Sequence, residues 1–409
     1  MINRFLAQTN IITTMGITGA LMLAIAGGCK PSEPTLPTSK NASQAGPLGY
    51  GWVFASAITN DEIDLSDRCL AQKAVALAYL AESNVEMAQA CALQIEDYNR
   101  GMVLAAIAEW LVTHGEPSKA EALLPALEAC GFVAKDWQRE YISSAIIRIQ
   151  ALLGKEQTVV KSASKFNNRS SLGGDVAANL ALVLARTGRV DEATGILKNL
   201  TQTNGLNTSD SSVKGYLDIA TLGKLDQGAV TQALVKAWEA AGTIKPPRRW
   251  DLQLQVIDAM TKQGMSSDAL QRLALISTTI TTAVKLPPEV HAAMLCQCAL
   301  LWKNLGQPKN AEGLRSEAEK TIARKLEVIF QPGAYAVIGT MYADTGDLTQ
   351  AREWYGRALD VAVGLENRRP RAQAGVEVCE SLAKHKEVID AGIQKRLERI
   401  NGTFDAAKP

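Results

Sequence analysis

The sequence is short of most features that mark an enzyme or a nucleic-acid-binding protein. Its three histidines, His114, His291 and His385, stand far apart in 409 residues. None has a Cys, Asp or Glu at zinc-ligand spacing. No GxSxG, HExxH, Walker A or GxGxxG pattern occurs, so no motif supplies an activated serine, a zinc-protease helix or a phosphate-binding turn. Lys and Arg number 43 and Asp and Glu 42, a formal charge of +1. That balance offers no basic surplus for nucleic acid and no acidic tail. Aromatics make up only 5%, and no alternating apolar and polar run of useful length predicts a strand. No catalytic residue, cofactor or metal ligand is assigned, although catalysis by residues distant in sequence stays open.

The sequence does contain paired amphipathic helices. Tyr335 to Leu359 reads as two helices joined by a tight turn. Tyr335, Ile338, Gly339 and Tyr342 share one face of the first, at i, i+3, i+4, i+7 spacing. Gly346 ends that helix, where positive φ is often needed. The second helix buries Ala351, Tyr355, Ala358 and Leu359, and the small residues Gly339 and Ala351 let the two backbones approach. These positions resemble the tetratricopeptide repeat, whose closing Pro is replaced here by Val363. One such unit cannot bury its own apolar face, so the resemblance implies more of them.

The Gly346/Ala351 separation recurs at Gly115/Ala120, Gly188/Ala193, Gly228/Ala233, Gly264/Ala269 and Gly306/Ala311. Degenerate copies stand at Ser83/Ala88, Gly154/Val159 and Lys386/Ala391. Pro117 and Pro308 follow their turn glycines by two residues, where a second helix would begin. The expected fold is all-α: a right-handed superhelical α-solenoid of about nine tetratricopeptide-like helix-turn-helix repeats over residues 66–401. Residues 51–65 are expected to cap the first repeat through Trp52 and Phe54, and 402–409 to form a tail.

The N-terminus has the layout of an export signal. Arg4 precedes an uncharged stretch from Phe5 to Gly28, which ends in Ala26-Gly27-Gly28-Cys29. That ending resembles the bacterial lipobox, with Ala in place of the more usual Leu. The resemblance implies a signal peptide over 1–28, a lipid on Cys29, and attachment to a membrane of the cell envelope. Residues 29–50, rich in Pro, Ser, Thr and Gly, read as a disordered tether. Ala24-Ile25-Ala26 is also an ordinary signal-peptidase site, which would release a soluble periplasmic protein; alternatively the stretch stays uncleaved as a membrane anchor, although it is short and Thr-interrupted for that. The remaining six cysteines have no spacing that identifies a disulfide framework.

Two surface features complete the reading. An Arg stands fifteen residues before the turn marker in five repeats: Arg68, Arg100, Arg139, Arg249 and Arg371. Each either packs its stem and pairs within the preceding loop, or joins a rim of guanidiniums that binds a partner. Lys73, Glu109, Arg148, Asn179, Arg186, Asp218, Asp258, Lys262 and Lys303 are expected to face inward, with mixed charge. The expected ligand is a protein or peptide, and no nucleic acid. The chain reads as a non-enzymatic, lipid-anchored interaction scaffold. Two alternatives stay open: a soluble periplasmic solenoid that binds a peptide or glycan, and a regulatory subunit or atypical enzyme.

Overall fold

The turn chemistry predicted at Gly346 organises the whole structure. In the computed structural model, which describes residues 34–163, 171–202, 208–223, 225–283, 285–323 and 326–405, Gly346 has φ +86°. Asp347 N–H reaches back to the Tyr342 carbonyl at 2.9 Å. This six-to-one bond closes the end of a helix whose last carbonyls have no partner within it. The same bond recurs from Asn84, Glu116, Lys155, Arg189, Met265 and Gln307, in each case just after a residue of positive φ. Ser83 is the one non-glycine among them, at φ 61°.

Each such turn joins a first helix to a second. The helices are α1 (Gly46–Ala57), α2 (Leu65–Ala81), α3 (Val85–Leu93), α4 (Asn99–Thr113), α5 (Pro117–Ala122), α6 (Leu124–Val133) and α7 (Asp136–Leu152). There follow α8 (Glu156–Ala163), α9 (Ser171–Arg186), α10 (Val190–Gln202), α11 (Thr208–Ala220), α12 (Gln227–Gly242) and α13 (Arg248–Lys262). The last are α14 (Ser266–Thr281), α15 (Pro288–Asn304), α16 (Pro308–Ala323), α17 (Gln331–Asp344), α18 (Leu348–Gly364), α19 (Arg368–Ala383) and α20 (Ala391–Asp405). No strand occurs among the described residues. The marker alanines Ala88, Ala120, Ala193, Ala233, Ala269, Ala311 and Ala351 are all buried, as small residues at a close helix crossing should be.

The all-helical repeat is present, but the array has no free ends. First helices pack side by side in the order α2, α4, α7, α9, α11, α13, α15, α17, α19, and α19 then packs on α2. Second helices pack on the first helix of their own unit and the next. A layer of first helices that touches itself all the way round is the inner layer of a closed ring.

α1 closes that ring. It packs on α19 and α2, which is the place of a second helix between two first helices. The contact is the one made inside the Tyr335–Leu359 unit. There, a Cβ added to Gly339 would stand 3.0 Å from the Tyr355 ring. At the closure, a Cβ added to Gly375 of α19 would stand 2.6 Å from the Phe54 ring of α1. The ninth unit is thus built from the two ends of the chain, with Arg369 of α19 bridging Asp64 at 2.7 Å across the seam.

Several boundaries shift accordingly. Residues 51–65 do not cap the first repeat alone, because Trp52 and Phe54 belong to the helix that completes the last one. The tether predicted over 29–50 ends earlier: Ala42, in a short helical turn before α1, and the α1 residues Leu48 and Tyr50 are buried. Pro47, one of the four prolines read as tether, lies in the first turn of α1, where its missing N–H has no helical partner to lose. Gly228 is not a turn residue; it lies in the first turn of α12. The α11–α12 turn is longer, with Gly223 at φ +65°. The Lys386/Ala391 turn leads into α20, which packs mainly on α18 because α1 already fills the slot beside α19. Ala391 is exposed for that reason. The predicted tail is partly structural, since α20 runs to Asp405 and Phe404 is buried.

Candidate interaction surface

The ring has an inner wall and two edges, and the sequence-predicted residues distribute among them. Three of the inward candidates meet on the wall. Arg148 of α7 donates to Glu109 of α4 through Nε at 2.9 Å and Nη2 at 2.7 Å. It also donates to Asp218 of α11 at 2.6 and 3.1 Å. Burial alone would lower this guanidinium, but its bonds to Asp218 and Glu109 hold it above its usual value. A planar fork that bonds two carboxylates at once is a use for Arg that Lys could not fill.

The other inward candidates scatter. Lys262 pairs with Asp258 one turn away on α13 at 2.7 Å. Lys303 donates to the Asp344 carbonyl, and Asn179 is buried in the wall. Burial pushes the Lys73 ammonium down, against the attraction of Asp97. Arg186 lies in the last turn of α9.

The sequence reading missed two carboxylates on α19. Glu377 is exposed by accessible surface, yet the protein around it pushes its carboxyl above the usual range. Both hold for a side chain that is surrounded by a concave wall and still reached by water. Burial and the neighbouring Glu377 push Glu380 up to about 7, against the pull of Lys384. Spacing of three along a helix would have flagged the pair; the missing signal was that α19 faces a closed interior.

The recurrent arginines lie on the edge where second helices hand over to first helices, here termed the loop edge. Their donors turn back onto the preceding connection. Arg100 Nε donates to Ile95 O at 2.7 Å. Arg139 donates to Gly131 O and Ala134 O, each at 3.2 Å. Arg371 donates to Leu365 O at 2.8 and 2.6 Å and to Glu366 O at 2.9 Å. Arg68 reaches Ile58 O at 3.4 Å. These carbonyls lie at or just past a second-helix C-terminus, where they lack helical partners and favour a cation. Arg249 differs, as its buried Nε has no hydrogen-bond partner. Because Ile58 follows α1, the Arg68 contact treats α1 as a second helix too.

The two edges differ in what they expose. Among the described residues, no exposed large hydrophobic lies in a first-to-second-helix turn, whereas the loop edge carries several. Ile63 is 77% exposed, Phe132 85%, Val133 77% and Trp137 52%. The Trp137 ring meets Tyr98 edge-on at 5.2 Å. Val328, Ile329 and Phe330 are exposed together before α17. Between the α12–α13 and α14–α15 connections lies an apolar cleft of about 570 Å³, lined by Pro246, Pro247, Trp250, Leu286, Pro287 and Val290. The six described cysteines are unpaired, and no group of three or more described His, Cys, Asp or Glu side chains could hold a metal. Cys29 lies outside the described residues.

The fold and its turns define an all-helical repeat protein. Residues 333–365 match the family model of the tetratricopeptide repeat, over the unit that the sequence singles out. No curated protein matches the chain. Among solved structures, Ton1535 from Thermococcus onnurineus NA1 aligns at 15% identity over 81% of this chain and 98% of its own, with a TM-score of 0.25. A circular tandem repeat protein with novel repeat topology aligns at 15% identity over 90% and 84%, with a TM-score of 0.20. Both superpositions are too loose to add to what the helix packing itself shows.

Proposed function

We propose that this chain is a non-enzymatic protein-interaction scaffold, held at the bacterial cell envelope by a lipid on Cys29. The scaffold reading rests on the helical repeat itself, part of which matches the tetratricopeptide model; repeats of this kind present extended surfaces to protein or peptide partners. The envelope reading rests on one sequence observation, the apolar stretch from Phe5 that ends on Ala26-Gly27-Gly28-Cys29. No described helix is long and apolar enough to cross a membrane; the stretch from Phe5 to Gly28 lies outside the described residues.

Intact-mass analysis of the protein made in bacteria, with palmitate labelling, tests the anchor. The expected mature chain begins at Cys29 and carries lipid. A lipid-free chain beginning at Gly27 would replace this reading with the soluble periplasmic one. Crosslinking and affinity capture of the mature protein test the scaffold, with the expected result a stoichiometric protein partner. Turnover of a small molecule by the purified protein, abolished by a wall substitution such as Glu380→Gln, would contradict a non-enzymatic role.

A further inference from the structure

We infer that the loop edge of the ring rests on a lipid bilayer, with Ile63, Phe132, Val133, Trp137, Ile329 and Phe330 dipping into its interface. This inference deepens the anchored reading and rests on it. Three observations point to a bilayer and not to a protein partner. The first is placement. Helices alternate in direction, so every second-to-first-helix connection lies at one level of the ring, and these apolar side chains come from three of them, α1–α2, α6–α7 and α16–α17, no two of which are neighbours around the ring. They form no single patch for a protein to cover, but a flat apolar phase takes them all at once. Trp137 and its neighbour Tyr98 suit such a phase, since an aromatic body with a polar tip favours the headgroup level.

The second observation is where the chain leaves the ring. Asn401 Nδ2 holds the Ser39 carbonyl at 2.9 Å, one helical turn from Phe404. The Phe404 ring lies 5.5 Å from that of Phe54, in the last turn of α1, and the Arg368 guanidinium, at the start of α19, stands over it at 5.8 Å. Both neighbours belong to the loop edge, so the chain departs there. Leu36 is packed on the core, and the seven steps back to Cys29 cannot span more than about 25 Å. The longest helices, of 17 residues, make the ring itself about 25 Å thick. A lipid on Cys29 therefore favours the loop edge, and not its opposite, against the membrane.

The third observation is charge. The edge carries Asp64 and Asp210 beside Arg369 and Arg248, which pair at 2.7 Å in each case. Contact should then follow apolar burial, with little dependence on anionic lipid.

The test uses the full chain processed in bacteria and reconstituted into phosphatidylethanolamine/phosphatidylglycerol vesicles. An environment-sensitive fluorophore is placed by Phe132→Cys or Ile329→Cys, and by Lys309→Cys on the opposite edge as control; the unsubstituted protein gives the background from Cys130. The expected result is a several-fold rise in emission at 132 and 329, quenched by brominated acyl chains, with no change at 309 and little effect of the phosphatidylglycerol fraction. Lipid present by mass but probes at 132 and 329 still in water would overturn the inference and leave the anchor standing. Should mass show no lipid, the anchor reading fails, and vesicle flotation of the unlipidated chain decides. Flotation with buried probes would still support the edge, and no flotation would overturn it. Probes shielded only by added envelope protein would make the edge a protein-docking surface and likewise overturn it.

Discussion

The unit formed by α17 and α18 and the unit formed by α19 and α1 make the same contact by different routes. In the first, Gly339 meets Tyr355 sixteen residues on; in the second, Gly375 meets Phe54 from the other end of the chain. The first can form locally. The second needs the intervening units in place, and loop closure over that span costs about 2.5–3 kcal/mol more than over a short hairpin if nothing else is folded. Open helical arrays protect their ends with polar capping repeats. Here each end buries the other, so the ring should behave as one cooperative body and not as a string of near-independent units.

The largest effect is expected where the ends meet. Phe54→Ala removes a fully buried ring from the seam and should cost about 3–5 kcal/mol. It should also expose Cys379, which is completely buried under α1. A denaturant titration gives the first quantity and peptide-mapped thiol labelling the second. If labelling of Cys379 stays as slow as in the parent protein, the seam is not where the ring opens.

Gly339→Leu inserts a side chain against the Tyr355 ring in the contiguous unit and should cost about 1–3 kcal/mol by overpacking. The loss should leave Cys379 protected, since the ends remain joined. Equal thiol exposure in this variant and in Phe54→Ala would erase the distinction between the two units.

The arginines rank next. Arg371→Ala removes three short bonds to helix-end carbonyls and should cost about 1.5–3 kcal/mol. Arg249→Ala, whose Nε has no partner, should cost less, and thermal melts of the two compare them directly. A partner lost from Arg371→Ala without any change in its melting would favour the binding-rim reading.

The smallest expected effect is a pH dependence from the wall of the split unit. Glu380 holds its proton up to about 7 in the folded chain, mainly through burial, and only to the usual carboxylate range when unfolded. Between those values the folded state binds more protons, so stability falls as pH rises from about 4.5 to 7. Allowing for its contact with solvent, the loss is of order 1 kcal/mol. Glu380→Gln should flatten that part of the stability profile. An unchanged slope would mean that the carboxylate is fully solvated.

Much of this architecture was legible because repeat signals are local. The turn glycines, the buried alanines and the Gly339–Tyr355 pair follow from the conformation of one residue or the crossing of two neighbouring helices. The inward set was partly legible for the same reason, as Glu109, Arg148 and Asp218 share a face of their helices. What distance along the chain hides was not legible. Gly46 to Ala57 has the small residues and aromatics of a second helix, but no first helix precedes it among the described residues, so 46–50 read as tether and 51–57 as part of a cap. Gly228 misled because it stands five residues before a buried alanine, as a turn glycine would, although the actual turn is three residues longer than the one at Gly346. The two edges could not be compared at all until the ring assigned each loop to one of them.

The central claim is that α1 occupies the second-helix slot of α19. A Cβ added at Gly51 would stand 3.2 Å from Cys379 Cβ, close to the roughly 3.5–4.5 Å separation found in disulfides. Under mild oxidation, Gly51→Cys should therefore form a bond to Cys379, seen by mass spectrometry as a peptide from the start of the ring joined to one from its end. A folded Gly51→Cys protein in which both thiols stay free, or in which the introduced thiol pairs only between molecules, would contradict the closed ring.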